Sequence, residues 1–176
     1  IKVGNINVDV VTNALKKSTQ RIMGPSYMRA GFGDGGACHP RDNIALRYMS
    51  DKFDLGYDLF DSIMVTRETQ AKNMAEECIK YGLDVVILGK AFKPGIDQTI
   101  GSPSMLVGHY IENSSKKVKV YYDKAPDNNN PYVYLIHNNT IKYNFNKNSI
   151  VIDPYRSMSK IEDIKVVHYG NTRIEE

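Results

Sequence analysis

Apolar residues follow two different spacings along this chain, one typical of helices and one typical of buried strands. Apolar side chains three or four positions apart predict amphipathic helices over residues 8–17, 57–81 and 104–112. Short apolar, β-branched runs predict strands over residues 83–89, 117–123, 132–137, 149–153 and 164–170. Because strand, helix and strand follow one another after residue 82, we predict an α/β fold. A helical segment, residues 1–81, precedes a Rossmann-like parallel-sheet domain, residues 82–176.

Residues 24–43 are rich in glycine and proline, which predicts irregular backbone with Asp42 capping a helix that follows it. Within this segment Cys38 is followed by Arg41, whose charge could favour the nucleophilic thiolate. Asp42 could orient a water molecule or handle a proton. Local chemistry leaves two interpretations of Cys38: a reactive thiol, or a small buried residue in a structural turn. Cys78 lies in a helical pattern and is expected to pack in the core.

Composition excludes several classes of function. The net charge of the 176 residues is +3, which is too small to argue for nucleic acid or a membrane surface as a partner. We expect no membrane span, because no apolar run has the necessary length. Two cysteines in unlike contexts fit a reducing, cytoplasmic setting. We predict no metal site, because Cys38 and His39 have no second Cys/His pair at ligand spacing. A cysteine hydrolase would need a partner histidine, and no histidine has a suggestive context.

Two longer motifs carry a family resemblance. GFGDGGACHPRDNIAL, residues 31–46, resembles the G-x-G-G-x-C-x-x-[KR]-D catalytic segment of the UDP-glucose and GDP-mannose dehydrogenase family. LGKAFKPGIDQTIGSPS, residues 88–104, resembles that family's second signature. The motifs stand in the family's order, and the resemblance extends from about Val8 to about Arg156. It implies the C-terminal part of an NAD-dependent nucleotide-sugar 6-dehydrogenase, with UDP-glucose as the default substrate and the uronic acid as product.

The resemblance also implies roles for individual residues. Cys38 would be the nucleophile that forms a thiohemiacetal and then a thioester, Asp42 would handle protons and water, and Arg41 would lie near the cofactor. The residues matching substrate-binding positions are Arg21, Tyr27, Arg29, Gly31, Gly33, Gly35, Gly36, Phe92, Lys93 and Arg156. Residues 1–81 would form the dimerisation segment of a homodimer, and residues 82–176 the UDP-binding domain.

The chain departs from the family pattern in two respects. Ile100 stands where the family has an arginine associated with the cofactor. The glycine cluster of residues 31–36 does not follow a strand, so it cannot serve as the G-x-G-x-x-G dinucleotide fingerprint, and NAD would be bound mainly by a domain absent from this chain. The alternative is therefore a non-catalytic nucleotide-sugar-binding fragment that lacks the NAD domain.

Overall fold

The computed structural model describes residues 5–17, 30–33, 35–140 and 142–173. Its helices are α1 (Val8–Lys16), α2 (Cys38–Lys52), α3 (Leu59–Ile79) and α4 (Pro103–Ser114). Its strands are β1 (Val85–Leu88), β2 (Val120–Tyr122), β3 (Val133–Ile136), β4 (Ile150–Asp153) and β5 (Lys165–His168). The predicted α/β class is confirmed, and each of the five predicted strands is present in a shorter form.

The five strands form one parallel sheet in the order β2-β1-β3-β4-β5. Val85 of β1 pairs with Val120 of β2 on one side and with Val133 of β3 on the other. The chain leaves β1, forms α4 and returns as β2, which confirms the predicted βαβ unit. The strand order therefore reverses between β1 and β3. Such a switch point opens a crevice at the carboxyl ends of the strands, where α/β proteins bind ligands.

The two faces of the sheet are covered differently. One face packs on helices α3 and α4, and its core includes Cys78, which is fully buried as predicted. The other face is covered by side chains from the irregular connections on either side of β4, including Tyr143, Phe145, Met158 and Ile164. The connection from β3 to β4 contains no strand in its described residues, so the hairpin considered for residues 137–148 is not found there.

Helix α3 divides into an exposed half and a buried half. The Asp58 side chain caps its start by accepting the Asp61 N–H at 2.9 Å. Ala71 and Met74 are buried in the core of the sheet, whereas Leu59 and Val65 are 53% and 54% exposed. Only the C-terminal half of the predicted apolar stripe therefore packs within the chain. In the described ranges, no helix has both the length and the apolar character needed to cross a membrane.

Helix α2 corrects one expectation. It begins at Cys38 with Ala37 at the capping position, so Asp42 lies in its second turn and does not cap it. Pro40 falls in the first turn, where backbone N–H groups have no partner within the helix and a missing N–H costs little. The proline that suggested irregular backbone is therefore compatible with a helix start.

Candidate active site

The segment that precedes Cys38 crosses the carboxyl edge of the sheet. The Phe32 ring packs edge-on against His137, at the end of β3, with 4.6 Å between centroids. His137 Nδ1 lies 2.6 Å from the Gly89 carbonyl oxygen, at the end of β1. A Cβ placed on Gly31 would lie 3.1 Å from the Tyr155 ring, beyond β4. The segment thus lies over the switch point, where the fold class predicts a ligand.

The two sequence motifs are in direct contact. The Gly36 N–H donates to the Gly101 carbonyl oxygen at 3.2 Å. A Cβ on Gly36 would lie 3.3 Å from the Phe92 ring, and one on Gly35 would lie 3.2 Å from the Phe92 carbonyl oxygen. Lys93 Nζ lies 5.4 Å from the centroid of that ring. Predicted substrate residues from segments more than fifty positions apart in sequence are therefore brought together.

Cys38 occupies the first position of α2 and is exposed as a free thiol. The interpretation of Cys38 as a buried residue in a turn is therefore wrong. Ala37, at the N-cap position, has no side-chain group that could cap α2, and a helix N-terminus stabilises nearby negative charge. The Asp42 carboxylate accepts a hydrogen bond from Arg41 Nε at 2.8 Å. This hydrogen bond, the charge of Asp42 and the nearby Cys38 raise the pKa of Arg41.

A cavity of about 440 Å³ lies between the start of α2 and α3. His39, Ile63, Arg67 and Gln70 are among its lining residues. A Cβ on Gly33 would lie 4.0 Å from the Gln70 Oε1 atom. The glycine segment, residues 30–36, therefore runs near this cavity as well. The residue that follows Cys38 therefore lines a space that a small ligand could enter.

The Arg156 side chain forms hydrogen bonds with other groups of this chain. Its side chain is 7% exposed; Nε donates to Asp9 at 2.6 Å, and Nη2 donates to the Ala30 carbonyl oxygen at 2.7 Å. Burial acts to raise the pKa of Asp9, but hydrogen bonds from Asn171 and Arg156 lower it below its ordinary value. Arg156 therefore connects α1 and Ala30, at the start of the glycine segment, to the end of β4. This set of contacts is called the Arg156 clamp below.

A second cavity, of about 430 Å³, adjoins this clamp and is lined by Lys16, Gly31, Asn139 and Arg156, among others. Lys16 adds a cation that sequence reasoning did not select. His137 and Gly101 were also missed, although each has a sequence signal. His137 directly follows an apolar strand run. Gly101 directly follows Ile100, the residue of the second motif at which this chain departs from the family pattern.

Three predicted substrate residues, Arg21, Tyr27 and Arg29, lie outside the described residues. Of the others, Gly31, Gly33, Gly35, Gly36, Phe92 and Lys93 lie along the carboxyl edge or beside it.

Comparison with known proteins identifies the relationship. Residues 2–69 match the UDP-glucose/GDP-mannose dehydrogenase family, central domain. GDP-mannose 6-dehydrogenase of Pseudomonas savastanoi pv. phaseolicola is 33% identical over 113 residues, which are 61% of this chain and 26% of that protein. A UDP-glucose 6-dehydrogenase of Bacillus subtilis is 22% identical over 121 residues, 66% of this chain and 28% of that protein. The resemblance to this dehydrogenase family is confirmed.

The fold of these dehydrogenases is shared as well. The structure of a UDP-glucose dehydrogenase from Pyrobaculum islandicum superimposes with a TM-score of 0.63 at 20% identity, covering 92% of this chain and 43% of that one. The chain spans roughly a quarter of the length of the curated relatives it matches. The match to the dehydrogenase central domain includes Cys38 and Asp42, because both fall within residues 2–69.

Proposed function

We propose that the chain binds a nucleotide sugar at the carboxyl edge of its sheet and that Cys38 is the nucleophile in oxidation of the sugar at C6. One observation supports this proposal. Residues 31–46 and residues 88–104, which hold the two family motifs, are in contact at Gly36 and Gly101. Backbone that approaches this closely can surround a ligand on two sides. Cys38, two residues after Gly36, carries an exposed thiol.

The groups available match a diphosphate-linked sugar. A diphosphate is bound by backbone N–H groups together with several cations that converge on it. Lys93 is exposed beside Phe92, and Lys16 lines the cavity next to Gly31. We assign Arg156 the indirect role of holding α1, and therefore Lys16, against this edge.

The thiol chemistry follows from the placement of Cys38 and Asp42. The thiolate adds to the carbonyl carbon of an aldehyde at C6, and departure of a hydride from that carbon leaves a thioester. Water then cleaves the thioester to the carboxylate and regenerates the thiol. Asp42 lies four residues after Cys38, on the same face of α2, so its carboxylate can accept a proton from the attacking water.

NAD is the hydride acceptor that the family resemblance implies. Arg41, exposed and beside Cys38, is the residue of this chain assigned to it. In the described ranges, β1 is the strand followed by a helix, and the connecting residues 89–102 do not form the G-x-G-x-x-G turn that holds a dinucleotide. The described residues therefore do not build an NAD site, and we infer that most NAD contacts come from outside this chain.

Two nucleotide sugars are candidates: UDP-glucose, the default from sequence, and GDP-mannose, after which the 33% identical relative is named. Isothermal titration calorimetry with each sugar tests binding. We expect saturable binding of at least one, weakened about tenfold by Lys93→Ala. Lys119→Ala is the matched control, because Lys119 is also exposed but precedes β2 at the opposite edge of the sheet. No binding of either sugar, or equal effects of the two substitutions, would contradict the proposed site.

The binding-only alternative is supported by the exposed Ile100 in place of the family's arginine and by the lack of an NAD site among the described residues. The two functions differ in the number of NADH molecules formed per nucleotide sugar consumed. A working dehydrogenase forms two NADH per nucleotide sugar consumed, since oxidation of an alcohol to an acid releases two hydrides. A binding module forms none, although it retains calorimetric binding.

We propose that the chain forms a homodimer through α2 and the exposed half of α3. Ile44, Tyr48, Leu59 and Val65 are each more than half exposed, and an apolar surface of this kind is typical of an interface. In sedimentation velocity experiments, Ile44→Asp should yield monomers. Val10→Asp in α1 is the control, because Val10 and Ile44 are 58% and 59% exposed. A monomeric wild-type protein would contradict this assignment.

Both cysteines are free thiols. Because the mechanism requires a thiol at Cys38, we infer a reducing compartment, the cytoplasm.

A further inference from the structure

A further cavity lies away from Cys38, on the face of the sheet that carries no helix in the described residues. Its volume is about 670 Å³. One wall is the connection from β3 to β4 and the other is the connection from β4 to β5. The apolar part of its lining consists of Ile136, Tyr143, Phe145, Met158, Ile161 and Ile164. Parallel sheets normally have helices on both faces, and two irregular connections in place of a helix leave this space between them.

The first wall is fixed to the core. The Tyr143 hydroxyl accepts the Ala125 N–H at 2.8 Å. The Asn146 amide donates to the carbonyl oxygens of Asn128 and Asn130 at 2.9 and 2.7 Å. Tyr143 and Phe145 also pack against the buried Tyr134 ring, with centroids 5.3 and 5.0 Å from it. The connection from β3 to β4 therefore has defined positions for its aromatic side chains.

The second wall is fixed by a buried carboxylate. Asp153 is fully buried and accepts the N–H groups of Tyr155, Ser157 and Met158 at 2.9, 2.7 and 2.8 Å. His168 Nε2 lies 2.8 Å from the Met158 carbonyl oxygen and holds the same residues to β5. Because both walls are attached to the sheet, the cavity is formed before any ligand arrives, as in most small-molecule sites.

The charged lining residues balance in sign. Lys147 forms an ion pair with Asp163 at 3.0 Å across the two walls. Lys142 and Glu162, one from each wall, are the remaining charged lining residues. The Asn139 and Asn144 amides and the Ser157 hydroxyl add hydrogen-bonding groups. An apolar lining with aromatic side chains, no net charge and a few amides favours a neutral ring-bearing molecule over an anion.

We propose that this cavity is a second binding site, which takes a neutral aromatic ligand with a small number of hydrogen-bonding groups. The site is separate from the cysteine site and does not depend on the proposed dehydrogenase function. The volume exceeds that of a two-ring aromatic molecule, and typical small-molecule sites measure about 300–1,000 Å³. A bound ligand would replace contacts that an empty apolar cavity lacks.

The probe for the test is N-phenyl-1-naphthylamine, a neutral two-ring-system molecule whose fluorescence rises in apolar surroundings. Titrated into the purified protein, it should give a saturable increase with one site per chain. Ile161→Asp, which places a carboxylate in the lining, should weaken binding at least tenfold. The matched control is Val10→Asp, the same type of substitution on the exposed surface of α1, and it should leave this binding unchanged.

Asn144→Trp provides a second variant that does not depend on the apolar lining. Asn144 is exposed and lines the cavity, so a larger side chain there should obstruct the cavity without unfolding the protein, as circular dichroism would verify. Loss of binding in both cavity variants supports the site. Binding that survives both of them, or that is lost with Val10→Asp, overturns it.

Charge selectivity is measured with 1-anilinonaphthalene-8-sulfonate, which has similar rings and one sulfonate. In the Val10→Asp protein it should bind at least fivefold more weakly than the neutral probe. Equal or tighter binding of the sulfonate overturns the assignment to a neutral ligand.

Discussion

Replacing Gly101 with alanine tests the contact between the residues just before Cys38 and the second motif, residues 88–104. Gly101 has a φ of +72°, and a Cβ there would lie 2.3 Å from the Gly36 carbonyl oxygen and 2.9 Å from the Ala37 nitrogen. Both approaches are far shorter than real Cβ contacts, and both involve backbone atoms. The alanine can be accommodated only if the residues just before Cys38 move.

Gly95 provides a matched control, because its φ of +80° is similar and no atom lies within 4 Å of the corresponding Cβ. The left-handed conformation alone costs an alanine about 1–2 kcal/mol, and both variants should lose this amount. Overpacking against backbone adds about 1–3 kcal/mol at Gly101 only. The Gly101 variant should therefore be less stable than the Gly95 variant by about 1–3 kcal/mol, or roughly 2–12 °C in Tm for a chain of this size.

Urea unfolding followed by circular dichroism measures the two free energies of unfolding, and the rate of Cys38 alkylation by iodoacetamide reports the position of the thiol. We expect the Gly101→Ala protein to unfold at lower urea and to alkylate at an altered rate, whereas Gly95→Ala leaves the rate unchanged. Equal stabilities together with equal alkylation rates would refute the contact and the site built on it.

Three further predictions concern the described geometry. Ellman's reagent should titrate one thiol in the native chain and two in denaturant, because Cys38 is exposed and Cys78 is fully buried; two fast native thiols would contradict the core. Asp9→Asn should reduce the loss of stability below pH 4: a carboxyl whose folded pKa is lowered stabilises above its unfolded value of 3.8 and loses that contribution as pH falls through the folded pKa. An identical acid profile for wild type and variant would exclude the Arg156 clamp. Asp153→Ala should cost about 2–4 kcal/mol in urea unfolding, because three N–H groups lose their buried acceptor, and a loss below about 1 kcal/mol would contradict that network.

Local pattern was sufficient to predict the strands of this fold. β1 and β3 are uniformly apolar because both of their faces are buried, and such runs can be recognised without tertiary information. The start of α2 was mispredicted because glycine and proline density is ambiguous: proline occurs in loops and also in the first turn of a helix.

Other features depend on contacts that are distant in sequence. Arg156 was selected as a ligand residue from its motif, but its partner Asp9 lies 147 positions away, and no local signal reveals such a pairing. His137 was passed over because its neighbours in sequence carry no chemistry. Its place beside Phe32 and Gly89 arises only when β1 and β3 become neighbours in the sheet.

The central claim is that Cys38 is the nucleophile of a nucleotide-sugar oxidation. The most direct measurement supplies NAD⁺ and the nucleotide sugar that binds to the purified protein carrying this chain, and quantifies NADH and uronic acid for wild type and Cys38→Ser. We predict two NADH per acid formed by the wild type. The variant should form no acid and at most one NADH per sugar, because oxidation beyond the aldehyde needs the thiol. Formation of the acid by Cys38→Ser at the wild-type rate would contradict the account.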